Sequence, residues 1–121
     1  MAKTALIVDD STTMRQMVAY TLREAGFEVV EAENGQDALD KIDKQKINII
    51  ITDLNMPVMD GFTFIKSVRA MPALKFVPIL LLTTESQLAK KQEGKAAGAT
   101  GWIVKPFEIE KLLQTIAKVL P

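Results

Sequence analysis

Three aspartates stand where apolar runs end in this sequence. Asp9 and Asp10 follow Ala5-Leu6-Ile7-Val8, and Asp53 follows a run that closes on Ile51-Thr52. Two further runs close on Thr83-Thr84 and on Lys105-Pro106. Carboxylates, hydroxyls and lysines are also most of the chemistry open to the chain. It has neither cysteine nor histidine, which removes thiol nucleophiles, zinc–thiolate sites, Ser-His-Asp catalysis and the usual general base near neutral pH. If the run ends converge, the three carboxylates repel one another. Two unit charges about 4 Å apart cost on the order of 4 kcal/mol at an effective dielectric of about 20. Lys105 offsets part of this. A divalent cation offsets more, and hard oxygen donors suit Mg²⁺, which takes one or two carboxylates, keeps several waters and accepts phosphate oxygens. Beside such a cation and an ammonium, a carboxylate can attack phosphorus in line and become an acyl phosphate.

The elements that must position these groups are five apolar runs, at residues 5–8, 27–32, 47–52, 77–83 and 102–104. Four are almost continuous in apolar residues, the pattern of strands covered on both faces. The second carries Glu28 and Glu31 and belongs at a sheet edge. Helical spacing follows each run. Met14, Met17, Val18, Leu22 and Ala25 form the first stripe, which Gly26 stops. Asn34 caps a helix carrying Ala38, Leu39 and Ile42, and Asp60 caps one with Phe62, Ile65 and Val68 inward. The fourth, around residues 86–97, is polar and weakly amphipathic. The fifth shows Ile109, Leu112, Leu113, Ile116 and Leu120. Five βα units with short connections and right-handed crossovers predict an α/β fold, a doubly wound parallel five-stranded sheet of (βα)5 type. With the second strand at an edge, the order is 2-1-3-4-5, a flavodoxin-like topology. The functional crevice of such a sheet lies beyond the carboxyl ends of its strands, near the switch between strands one and three.

That topology assigns roles. Asp53, on the central strand between the other groups, is the nucleophile. Asp10 binds the metal directly, Asp9 directly or through water, and the Asn55 backbone carbonyl completes the set with Asp53. The Thr83 hydroxyl and the Lys105 ammonium hold phosphoryl oxygens. Taken singly, each residue is an ordinary strand end or surface group; their convergence carries the reading. Met56-Pro57 and Gly61 read as loop geometry.

Bulk properties narrow the classes further. A chain of 121 residues suits one domain spanning 1–121. Fifteen basic residues balance 15 acidic ones, which argues against a nucleic-acid partner bound through bulk charge. The first apolar run is too short for a signal peptide or a membrane span, so no membrane is expected and the cytoplasm is the expected location.

Leu-Ile-Val-Asp9-Asp10-Ser, Asp53-Leu-Asn-Met-Pro-Val-Met-Asp60-Gly61, Thr83-Thr84-Glu85 and Lys105-Pro106-Phe107, in this order, resemble response-regulator receiver domains along the whole length. Because the chain ends after the fifth helix, it is similar to stand-alone chemotaxis receivers of the CheY type. The resemblance implies a CheA-like histidine kinase as phosphoryl donor to Asp53. It implies Thr83 and Lys105 as sensors of the phosphoryl group, Trp102 as the aromatic that changes exposure, and a cis peptide between Lys105 and Pro106. It implies an output face of helix four, strand five and helix five, with a flagellar motor switch protein as target and a phosphatase as further partner. A phosphorelay intermediate or phosphate sink is the alternative. Asn55 and Glu85 occupy positions that influence acyl-phosphate lifetime, and the pairing implies a short one. Thr84 stands where a small residue is common and is expected to narrow access to Asp53. On this reading the chain is a monomer and not an enzyme, beyond catalysing its own phosphoryl transfer and autodephosphorylation. A flavodoxin-like enzyme would want a phosphate-cradling loop where Asp9-Asp10 stands. A module that never accepts phosphate would not need the acidic set.

Overall fold

Alternation along the three interior strands explains how the two faces of the sheet are filled. The computed structural model describes residues 3–120; residues 1–2 and 121 of the expected domain lie outside them. Strands β1 (Thr4–Val8), β2 (Glu28–Ala32), β3 (Ile49–Thr52), β4 (Ile79–Thr83) and β5 (Gly101–Val104) pair in parallel, in the order β2-β1-β3-β4-β5. Helices α1 (Thr12–Glu24), α2 (Gly35–Ile42), α3 (Gly61–Arg69), α4 (Leu88–Ala97) and α5 (Ile109–Val119) follow the strands in turn, and a 3-10 turn at Pro72–Leu74 precedes β4. This is the expected doubly wound (βα)5 fold. Successive strand side chains point to opposite faces. Leu6, Val8, Ile50 and Leu81 therefore pack with Ala38, Ile42, Phe64, Ile65 and Val68 in one layer. Ala5, Ile7, Ile49, Ile51, Leu80 and Leu82 pack with Val18, Ala19, Leu22, Leu112 and Ile116 in the other. Each buried aliphatic contributes about 1.5–3 kcal/mol, and together they hold the strand ends in register. Among the described residues no helix is long and apolar enough to cross a membrane.

Glu28 and Glu31 lie on the edge strand β2, where Glu31 pairs with Arg15 and Arg23 of α1. The other boundaries shift in physically simple ways. β3 and β4 start at Ile49 and Ile79 rather than at 47 and 77. Pro78 has no N–H to donate to a ladder, although its carbonyl accepts from Ile50. Ile47 and Val77 are buried without pairing, so their apolar character reads as strand. On α1 the inward face is rotated from the expected stripe: Ala19 is fully buried, whereas Met17 is 42% exposed and Ala25 is exposed.

Three helices are capped by short polar side chains, two of them, Asn34 and Asp60, as expected and the third, Ser11, not anticipated. Ser11 accepts from the Met14 N–H, Asn34 from Asp37 and Asp60 from Thr63. Helix α4 is held differently at its two ends. It has no side-chain cap at its N-terminus, and Leu88 there is 70% exposed. Its C-terminus stops at Gly98, whose φ of +116° is one that glycine adopts without strain. The Arg69 guanidinium donates to the Gly98 carbonyl from Nε (3.0 Å) and Nη2 (2.8 Å), and from Nη1 to Leu74 (3.1 Å) and Val77 (2.6 Å). Burial lowers the Arg69 pKa, and the carbonyl dipoles at the helix end favour the cation. One side chain thus joins α3, the 3-10 turn, the entry to β4 and the end of α4.

Candidate functional site

Parallel register brings the chemical groups together. Val8 pairs with Thr52, so Asp9 and Asp53 leave neighbouring strands side by side. Their backbones are anchored, Asp53 N–H to the Val8 carbonyl at 2.9 Å and Asp9 N–H to Ala32 at 3.1 Å. Thr83 pairs with Val104, and the Lys105 N–H donates to the Thr83 carbonyl at 2.8 Å. One carboxylate oxygen each from Asp9, Asp10 and Asp53 lies within 4.8 Å of the others. Asp9 is buried at 4% exposure, Asp53 is intermediate and Asp10 is exposed. Lys105 Nζ lies 2.9 Å from Asp9 Oδ2 and 3.5 Å from Asp53 Oδ2. The ammonium therefore rests mainly on Asp9.

Asp9 is also fixed by its own surroundings. Its Oδ1 accepts from the Ser11 N–H at 2.9 Å, and Arg15 Nη1 donates to its backbone carbonyl at 2.7 Å. Arg15 was invisible as a site residue in the sequence, where an arginine early in a helix carries no distinctive signal. Asp53 Oδ1 accepts from the Leu54 N–H at 2.7 Å. Burial pushes the Asp53 carboxyl above the usual carboxylate range and the nearby Asp9 charge adds to this, while Lys105, the Leu54 N–H and the Thr83 hydroxyl oppose it. The donor set fits a hard divalent cation: three carboxylates converge, and a single ammonium balances them only in part.

The loop after Asp53 sets where that carboxylate points. The Gly61 N–H donates to the Leu54 carbonyl at 2.8 Å, and a Cβ on Gly61 would sit 2.5 Å from the Asp53 carbonyl oxygen. Only glycine permits this approach. A tight γ-turn precedes it, with Met59 N–H donating to Pro57 and Val58 at φ +75°. A β-branched residue in this region costs about 1–3 kcal/mol and persists because the surrounding contacts hold it. Asn55 is exposed in the same loop, two residues past Asp53.

On the other side, Thr83 is fully buried and its Oγ1 accepts from the Glu85 N–H at 3.3 Å, while Thr84 is exposed. The Glu85 carboxylate turns back on its own chain, where Oε2 accepts from Ser86 (3.1 Å) and Gln87 (3.3 Å) on the way into α4. Its carbonyl accepts from Trp102 Nε1 at 2.8 Å. Trp102 is half-buried and packs closely over Gly94 of α4, where a Cβ would lie 2.8 Å from the indole. The Lys105–Pro106 peptide is cis. The structure thus gathers Asp9, Asp10, Asp53, Thr83 and Lys105 at one point. It places Glu85 and Trp102 on a second, adjoining hydrogen-bonded unit.

Comparison with known proteins agrees with this geometry. The family model of the response regulator receiver domain matches residues 5–117. Chemotaxis protein CheY1 of Helicobacter pylori is 42% identical over 117 residues, covering 95% of this chain and 94% of that protein. Chemotaxis protein CheY-3 of Vibrio cholerae is 40% identical over 115 residues, covering 94% and 88%. Among solved structures, chemotaxis protein CheY4 of Vibrio cholerae superposes with a TM-score of 0.96 at 55% identity, covering 99% of this chain and all of that one.

The raised Asp53 pKa has a consequence for stability. At acidic pH, below the ordinary aspartate value, the group is protonated in folded and unfolded chains alike and contributes no difference. As pH rises through that value the unfolded chain releases its proton first, and stability falls until the folded group also ionises. Asp53→Asn in Mg²⁺-free buffer is therefore expected to raise the melting temperature at pH 7, with the gain shrinking toward pH 4. A gain that grows on acidification would contradict the assigned cause.

Proposed function

The chain belongs to the response-regulator receiver domain family, and on that premise we propose that it is a chemotaxis-type phosphorylation switch in which Asp53 takes a phosphoryl group from a CheA-like histidine kinase. The convergence of Asp9, Asp10 and Asp53 around Lys105 carries this reading. Asp9, Asp10, Asp53 and the Asn55 carbonyl would hold Mg²⁺, which when bound neutralises phosphoryl charge. An Asp53 carboxylate oxygen attacks phosphorus; the new P–O bond forms as the P–N bond to the donor histidine breaks, and the imidazole leaves with the bonding pair. The Leu54 N–H orients the attacking carboxylate. Lys105 exchanges part of its contact with Asp9 for a phosphoryl oxygen, and the Thr83 hydroxyl donates to another. Asn55 and Glu85 set the lifetime of the acyl phosphate, and Thr84 shapes access to it.

The Thr83 hydroxyl is also the acceptor for the Glu85 N–H, and the Glu85 carbonyl holds Trp102. Drawing Thr83 toward a phosphoryl group therefore pulls on a segment to which Trp102 is tied. The free N-terminus of α4 lies next in sequence, so α4, β5 and α5 form the face whose shape depends on phosphorylation. A flagellar motor switch protein is the proposed target. The chain acts as a single-domain monomer in the cytoplasm, and its catalysis is confined to acquiring and losing its own phosphoryl group.

Mass spectrometry after incubation with Mg²⁺ and acetyl phosphate is expected to find one phosphoryl group on the wild-type chain and none on Asp53→Ala. An unmodified wild type with Mg²⁺ binding intact would overturn the proposal. Trp102 is the sole tryptophan, so its fluorescence reports the relay. Mg²⁺ plus beryllofluoride is expected to change the emission of the wild type and to leave Thr83→Ala largely unchanged. Constant emission in a wild type shown to bind the mimic would contradict coupling from Asp53 to Trp102.

A further inference from the structure

We propose that the end of the sheet opposite Asp53, around Phe76, is a docking surface for a partner protein segment that presents an apolar side chain flanked by carboxylates. Phe76 is 87% exposed, more than any other large apolar side chain among the described residues. Leaving a phenylalanine ring in water forgoes the burial that drives folding. The backbone beneath it is nonetheless rigidly held. Leu74 and Val77 on either side are buried, and Arg69 Nη1 donates to the carbonyls of Leu74, Lys75 and Val77. The ring is thus presented from a braced segment, as a preorganised anchor requires. Beside it runs a groove of about 230 Å³, whose lining includes Ile47, Pro72, Pro78 and Leu120.

Charge selects the occupant. Among the described residues, Lys3 and Lys75 line the groove and no carboxylate side chain does, while Lys75 Nζ stands 5.6 Å from the Phe76 ring centroid. An incoming apolar group can stack on the ring and its flanking carboxylates meet the two ammonium groups. A second copy docking through the same patch would set lysine against lysine, which disfavours self-association. The groove lies at the start of β1, β3 and β4, and Asp9 and Asp53 lie past the ends of β1 and β3. Docking here is accordingly independent of phosphorylation, leaving the α4-β5-α5 face free for a state-dependent contact.

A random peptide display library selected on the full chain tests this, with the single variants Phe76→Ser and Lys75→Glu as counter-screens at exposed positions. Selected peptides are expected to carry a leucine or aromatic anchor beside aspartate or glutamate. They should shift the NMR amide signals of Asn48, Lys75 and Phe76 while leaving residues 83–87 in place. Each variant should weaken them about tenfold or more, and Asp53→Ala should bind them as the wild type does. Peptides that survive Phe76→Ser, or that are basic, would overturn the proposal. Self-association of the wild type that Phe76→Ser abolishes would overturn it in favour of a second copy.

Discussion

Asp9 and Asp53 carry like charges into a corner where little water reaches, and Lys105 must serve both, at 2.9 Å from one and 3.5 Å from the other. One ammonium cannot neutralise three carboxylates, and each uncompensated pair at such range costs on the order of 4 kcal/mol at an effective dielectric of about 20. Left to themselves these groups would part. They stay because β1, β3 and β4 are buried on both faces, and register leaves Asp9 and Asp53 no freedom to separate. The core's stability thus maintains a local electrostatic misfit, the kind of conflict that folded proteins keep at functional sites. Positive charge placed among these carboxylates would relieve that misfit, which is why their arrangement suits a cation.

The neighbouring backbone follows from the same need. The Asp53 carboxylate must be aimed, so the loop after it closes through Gly61 at a separation that no side chain tolerates, and Val58 accepts a positive φ to make that closure. On the far side of the site the structure is deliberately uneven. Arg69 ties down the end of α4, whereas its start depends on the Thr83–Glu85–Trp102 hydrogen bonds. A helix secured at one end and tied to the Thr83 strand end at the other can shift locally without unfolding its neighbours.

Much of this was legible from residue type and spacing. Continuous apolar runs announce buried parallel strands, Glu28 and Glu31 mark the edge, and Asn34 and Asp60 are caps by virtue of short side chains that reach a nearby N–H. The acidic cluster follows once strand order is known, because register does the rest. What escaped was set by distance along the chain or by backbone conformation. Arg69 reaches Gly98 across 29 residues and Trp102 reaches Glu85 across 17, and neither bond has a local signature. Nothing in a valine advertises the γ-turn at Val58. Ile47 and Val77 read as strand because burial and pairing leave the same apolar trace.

If the crowded carboxylates form a receptor for a divalent cation, the thermal stability of the chain depends on Mg²⁺ concentration. A ligand that binds only the folded chain raises its melting temperature by mass action. The expected result is a rise that saturates with Mg²⁺ in the wild type and is lost in Asp10→Asn, a change at an exposed position. A melting temperature indifferent to Mg²⁺, or an equal rise in Asp10→Asn, would contradict it.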